Sequence, residues 1–153
     1  VERRYIPVEP SDEMRQIATS KEELRTVTFI DGDMENFPLP DFPIDTIVST
    51  FVFHHLTDIE KQTAIKKYYD LLELGGKIIF GDTMFLSKDV HHEKITKAYA
   101  RNHQNLAEDL QREYYPLLPN MERYFRENGF TTRFQQMNEY VWIVEAVKQI
   151  KNV

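Results

Sequence analysis

Short β-like runs alternate with helical stripes along most of this chain, and the pattern then breaks at the C-terminal end. There, Phe130–Met137 and Tyr140–Val147 follow one another with almost nothing between them. A connection that short joins only antiparallel neighbours, so the end of the chain reads as a hairpin. Upstream, Tyr5–Val8, Val27–Ile30, Thr46–Thr50 and Lys77–Phe80 are each separated by helical or loop segments. Strands alternating with helices build a parallel sheet with helices on both faces. The expected architecture is therefore α/β, a mostly parallel sheet closed by a C-terminal antiparallel hairpin.

Local signals set the boundaries. Ser11 is a good N-cap, with Asp12 and Glu13 in the first turn of a helix reaching about Thr19. Pro7 lacks an N–H and weakens the run that contains it. Pro38, Pro40 and Pro43 mark a loop. Thr57 and Glu60 form a capping box, followed by Ala64, Ile65, Tyr68, Leu71 and Leu72 at helical spacing. Gly75-Gly76 is expected to end that helix. Ile95, Ala98, Tyr99, Leu106 and Leu110 are spaced for helices between Ser87 and Glu113, and a further helix is expected from Leu118 to Asn128-Gly129. At 153 residues, with no internal repeat or linker, the reading is one domain spanning 1–153.

Composition removes several classes of function. The absence of cysteine excludes disulfides, thiol nucleophiles and Cys-based zinc sites. A net charge of −6 argues against a broad nucleic-acid footprint, and no apolar run approaches the ~18 residues of a membrane span. A cytoplasmic protein acting on a small molecule is the expectation.

Ligands of open α/β sheets bind beyond the carboxyl ends of the strands. That rule selects Glu9, Asp31-Gly32-Asp33, Thr50-Phe51 and Gly81-Asp82. A carboxylate at Glu9 can accept hydrogen bonds from a ribose diol, or it is simply an acid flanking a helix. Asp33 can accept from an adenine amino group, or it is an ordinary turn residue. His54-His55 follows the third run, where the pair can act as base or polar anchor, or one is an exposed loop residue and the other a satisfied packing residue. His91-His92 has no acidic partner at clear ligand spacing, so no metal is expected there.

Taken in order, these segments resemble a known family. They are Val8-Glu9-Pro10-Ser11-Asp12-Glu13-Met14, Asp31-Gly32-Asp33-Met34, Ile44–Thr50 with Phe53-His54-His55-Leu56, and Leu74–Phe80. The pattern is similar to class I S-adenosylmethionine-dependent methyltransferases, specifically a small and poorly characterised bacterial branch. The resemblance implies a Rossmann-like methyltransferase sheet with S-adenosylmethionine as cofactor. It assigns the ribose to Glu9, the adenine to Asp33 and Met34, and the methionine end to Thr50 and Phe51. His55 is the expected catalytic base.

One departure is large. The family's first strand and glycine-rich loop should precede Glu9, yet no glycine occurs before Gly32. The expectation is that the first strand–helix unit and preceding elements, on the order of 60 residues, are missing. A start on Val1 rather than methionine fits a fragment or an unrecorded upstream segment better than a degenerate product. The exposed sheet edge this implies would favour a homodimer or a nicked chain. Two rival readings stay open: a nicotinamide-dependent dehydrogenase and a non-catalytic methyltransferase fragment.

Overall fold

The computed structural model describes residues 4–150, so the Val1–Arg3 start lies outside the described residues. Two compact units follow one another along the chain, divided after Asp41.

In the first unit, Ser11 caps α1 (Asp12–Ser20) by accepting from the Met14 N–H, as its position predicted. The two flanking runs are shorter than expected. Val8 and Ile30 form a single parallel bridge, with Ile30 N–H donating to Pro7 O and Glu9 N–H to Ile30 O. Proline in the first run has no N–H to extend the ladder, which accounts for its brevity.

The second unit carries a four-stranded sheet. Its strands are β1 (Ile44–Thr50), β2 (Leu72–Thr83), β3 (Phe130–Gln136) and β4 (Val141–Lys148), in spatial order β1-β2-β4-β3. β1 and β2 are parallel, while β4 pairs antiparallel with both β2 and β3. The hairpin is as expected, and the sheet is mixed, with one parallel pair against two antiparallel ones. The helices are α2 (Asp58–Leu71), α3 (Lys88–Ala100), α4 (Gln104–Arg112) and α5 (Leu118–Glu127). The Thr57/Glu60 capping box forms in both directions.

Gly75-Gly76 plays a different part from the expected helix stop. α2 ends at Leu71, and the glycines lie within β2, where the register against β1 slips between Ile44 and Thr46. Gly75 takes φ 78°, and a Cβ on Gly76 would stand 2.8 Å from Glu73 O and 3.1 Å from Asp45 O. The pair therefore makes a bulge that only glycine fits.

Burial alternates along β2, with Ile78, Phe80 and Asp82 on one row, all fully enclosed. Phe80 meets Phe53, Tyr68 and Phe125, so α2, α5 and the turn after β1 cover that face. Burying each such ring contributes roughly 1.5–3 kcal/mol. No helix among the described residues is long and apolar enough to cross a membrane.

Candidate functional site

In the first unit, the parallel bridge puts Glu9 and the Asp31-Gly32-Asp33 turn directly beyond two paired strand ends. Arg15, one turn into α1, ties them together. Its Nη1 donates to Glu9 O at 2.6 Å and to Asp31 Oδ1 at 3.0 Å. Half-buried Glu9 accepts from the Ser11 N–H through Oε1 at 2.9 Å, and its Oε2 has no partner among the described residues. An acceptor oxygen held at a strand end suits a diol.

Gly32 is held by close approach, since a Cβ there would meet Asn36 O at 2.7 Å. The turn it permits is closed by Asp33, whose Oδ1 accepts from the Glu35 and Asn36 N–H groups at 2.8 and 2.7 Å. The exposed Asp33 side chain is thereby fixed in direction, with half-buried Met34 beside it. A shallow groove in this unit lies between α1 and residues 25–29 and is lined by neither Glu9 nor Asp33.

In the second unit, β1 ends at Thr50, and Phe51 follows with φ 55°. A bulky residue in the left-handed region costs on the order of 1–3 kcal/mol, and such strain clusters at functional sites. Phe51 N–H donates to Gly81 O at 2.8 Å, which keeps the turn against β2, while the residue as a whole is 52% exposed. Thr50 is exposed too.

The turn continues into a 3-10 segment, Phe53–His55, where the two histidines part company. His55 is the more exposed, with Nδ1 3.0 Å from Glu113 Oε2. His54 is set against Asp82, whose side chain is enclosed at the end of the buried β2 row. Asp82 Oδ1 lies 2.6 Å from His54 Nδ1 and accepts from Thr83 N–H, while Oδ2 accepts from the His54 N–H at 3.0 Å. Burial pulls the His54 pKa down, but the hydrogen bond and charge of Asp82, with Glu113 and Asp109, outweigh it and raise it. Tyr115 packs on the His54 ring at 5.0 Å and donates to Asp109 Oδ2 at 2.7 Å. Burial and these carboxylates push its phenol pKa upward, so Tyr115 keeps its proton.

Sequence reasoning missed what holds the 113–115 segment against this turn. Lys61 on α2 is fully buried, and its Nζ donates to Leu56 O and Tyr114 O, each at 2.6 Å. Desolvation lowers its pKa, against the opposing charges of Asp58 and Asp82. Tyr114 N–H also donates to His54 O at 2.9 Å. A buried lysine inside an amphipathic helix is a weak signal, because its pattern reads as a solvated face. Asp82 offered a stronger one, since it is in phase with Ile78 and Phe80 on the enclosed row.

His54, His55 and Glu113 each offer a ligand atom within 4.8 Å of the others, a grouping that a divalent cation can use. Both Nδ1 atoms are already engaged by carboxylates, which makes the cluster equally a place to hold a proton. His91 is a packing residue, stacked on Phe85 at 4.4 Å with Nε2 2.7 Å from Leu110 O.

Residues 1–80 match the methyltransferase domain family. An uncharacterized methyltransferase of Anoxybacillus flavithermus is 53% identical over 142 residues, covering 93% of this chain and 66% of that protein. Another, from Bacillus velezensis, is 47% identical over 147 residues, covering 96% of this chain and 68% of its own length. The chain thus spans about two thirds of the curated relatives it matches. Among solved structures, the YcgJ protein of Bacillus subtilis superposes with TM-score 0.70 at 16% identity, over 94% of this chain and 82% of that one. Magnesium protoporphyrin IX methyltransferase of Synechocystis, solved with bound SAH, gives TM-score 0.65 at 20% identity, over 93% and 63%. These likenesses agree with a Rossmann-like methyltransferase fold, and the sequence matches decide the family. The chain belongs to the methyltransferase domain family.

Proposed function

We propose that this chain is part of one S-adenosylmethionine-dependent methyltransferase domain acting on a small-molecule acceptor. The observation that carries the reading is the paired strand ends of the first unit, where Arg15 fixes Glu9 beside the Asp31-Gly32-Asp33 turn. Glu9 Oε2 is an acceptor with no protein partner among the described residues, as a ribose diol requires. Gly32 leaves no space for a side chain, so the turn stays narrow. Asp33 and Met34 are assigned to the adenine, Thr50 and Phe51 to the methionine end. The strained Phe51 backbone supports that last assignment.

When bound, S-adenosylmethionine supplies a methyl group on a sulfonium, reactive enough that the protein need only bind, align and exclude water. Glu9 and Asp33 provide acceptors for the sugar and base. Phe51 offers an exposed ring beyond β1 that can shield the reacting region from water. A histidine after β1 takes a proton from the acceptor, the role for which the sequence nominates His55. The net charge of −6 suits a small acceptor better than a nucleic acid, and a cytoplasmic setting and a homodimer belong to the same reading.

Calorimetric titration with S-adenosylhomocysteine and, separately, with NADH tests this. Binding of the first in the micromolar range, roughly −8 kcal/mol, is expected. Glu9→Ala should weaken it by about tenfold or more, the loss of one or two charge-assisted hydrogen bonds. Heat with NADH and none with S-adenosylhomocysteine would favour the dehydrogenase reading instead.

A further inference from the structure

We infer that the proton acceptor of this site is His54 Nε2, oriented by Asp82, and that it serves an acceptor molecule bearing an O–H, N–H or S–H and no negative charge. This deepens the methyltransferase reading and rests on it.

The argument begins with a misplaced carboxylate. Asp82 occupies an enclosed position in line with Ile78 and Phe80, where an apolar side chain would pack at lower cost. Each of its oxygens is committed. Three hydrogen bonds reach it, two from His54 and one from the Thr83 N–H. The His54 backbone N–H and ring Nδ1 are thus both clamped, which fixes the ring in place and holds its Nδ1 as the protonated nitrogen. A histidine held this way presents Nε2 as a lone pair.

Nε2 is open as well as oriented. It has no hydrogen-bond partner among the described residues, and no buried side-chain nitrogen or oxygen there is left unpaired, so Nε2 reaches solvent. The rest of the ring is covered: the side chain is only 12% exposed, against 56% for His55. His55 uses its Nδ1 on Glu113 and has no buried carboxylate behind it.

The surrounding charge fits a base that must become a cation. The charges of Asp82 from β2, Asp109 from α4 and Glu113 beyond it all act on the ring, with His55 alongside and Tyr115, a neutral phenol, tilted against it. Lys61, which also feels the charge of Asp82, is fully buried with its Nζ bound to two carbonyls. An imidazolium is stabilised here, whereas an anionic acceptor would be repelled. In the step itself, His54 Nε2 takes the acceptor's proton while the acceptor's lone pair goes to the methyl carbon. The carbon–sulfur bonding electrons stay on sulfur, leaving a neutral thioether and an imidazolium paired with Asp82.

Three measurements test this. First, nitrogen NMR of the wild-type protein above neutral pH should show neutral His54 protonated at Nδ1 and bare at Nε2. Second, the His54 titration midpoint should lie above the ordinary histidine value and fall in Asp82→Asn. Third, diethyl pyrocarbonate should modify Nε2, and S-adenosylhomocysteine at ten times its Kd should slow that reaction about tenfold, by occupancy. Binding without protection, the opposite tautomer, or a midpoint unmoved in a folded Asp82→Asn protein overturns the base assignment alone. Absence of S-adenosylhomocysteine binding overturns the methyltransferase reading and the base role with it, even where the tautomer is as stated. If Asp82→Asn fails to fold, the wild-type tautomer and protection results still decide.

Discussion

Replacing Lys61 with methionine removes one charge and leaves the stem volume nearly unchanged, so the result isolates the ammonium. In the folded protein Nζ donates at 2.6 Å to Leu56 O and at 2.6 Å to Tyr114 O, and it stands 3.7 Å from Asp58 Oδ1. Hydrogen bonds to a charged group contribute about 1.5–3 kcal/mol each, so two of them amount to roughly 3–6 kcal/mol. Against this, methionine escapes the desolvation of a buried ammonium, a cost of several kcal/mol. The two carbonyls then lose their donor, at roughly 1–3 kcal/mol apiece where water does not reach them. With the lost bonds and the escaped desolvation roughly cancelling, the two orphaned carbonyls set a net loss of about 2–6 kcal/mol. Urea unfolding followed by the fluorescence of Trp142, the sole tryptophan and a β4 residue, reads the unit concerned. A loss below about 0.5 kcal/mol would refute the reasoning, because the surviving carbonyls would then be satisfied without the lysine.

The His54 pKa is raised in the folded protein above its unfolded value near 6.5, so its contribution to stability is complete below that pH and is lost as pH rises through the folded value. Urea midpoints should therefore fall as pH increases above about 6.5, and the slope should flatten in His54→Gln. Gly76→Ala places a Cβ 2.8 Å from Glu73 O and should destabilise by about 1–3 kcal/mol in the same assay; an unchanged midpoint would mean the bulge yields freely. Phe51→Gly relieves a positive φ and should raise thermal stability by about 1 kcal/mol while weakening S-adenosylhomocysteine binding; tighter binding would count against Phe51 as a cofactor contact. Ser11→Ala removes the α1 cap and should cost about 1 kcal/mol, read by hydrogen exchange of the α1 amides, with unchanged exchange as the contrary result.

The parts of the fold legible in the sequence were those written in local chemistry. Ser11 and the Thr57/Glu60 pair marked helix starts because capping depends on residues three positions apart, and the terminal hairpin showed itself through the shortness of its turn. Gly75-Gly76 was misread as a helix stop because a C-cap and a strand bulge ask the same freedom of glycine. Only the register against β1 separates the two, and that is a long-range property. The runs around Val8 and Ile30 pair through one bridge, since Pro7 limits the ladder and apolar composition alone does not report pairing.

The candidate site divides in the same way. The positions of Glu9 and Asp33 were legible because both follow β-like runs, and the structure sets both just beyond the Val8–Ile30 bridge. Arg15 and Lys61 were not, since Arg15 joins Glu9 O to the Asp31 carboxylate and Lys61 reaches Tyr114 O, 53 residues on, contacts that leave no motif. The distinction between His54 and His55 was equally hidden. It depends on Asp82, 28 residues away, pointing into the protein along with Phe80.

The central claim is that Glu9 and the Asp33 turn receive one adenosyl group. A crystal structure of the protein with S-adenosylhomocysteine measures it most directly. The account predicts ribose hydroxyl oxygens about 2.5–3.0 Å from Glu9 Oε2, with the adenine beside Asp33 and Met34. An adenosyl group bound elsewhere, touching neither carboxylate, would contradict it.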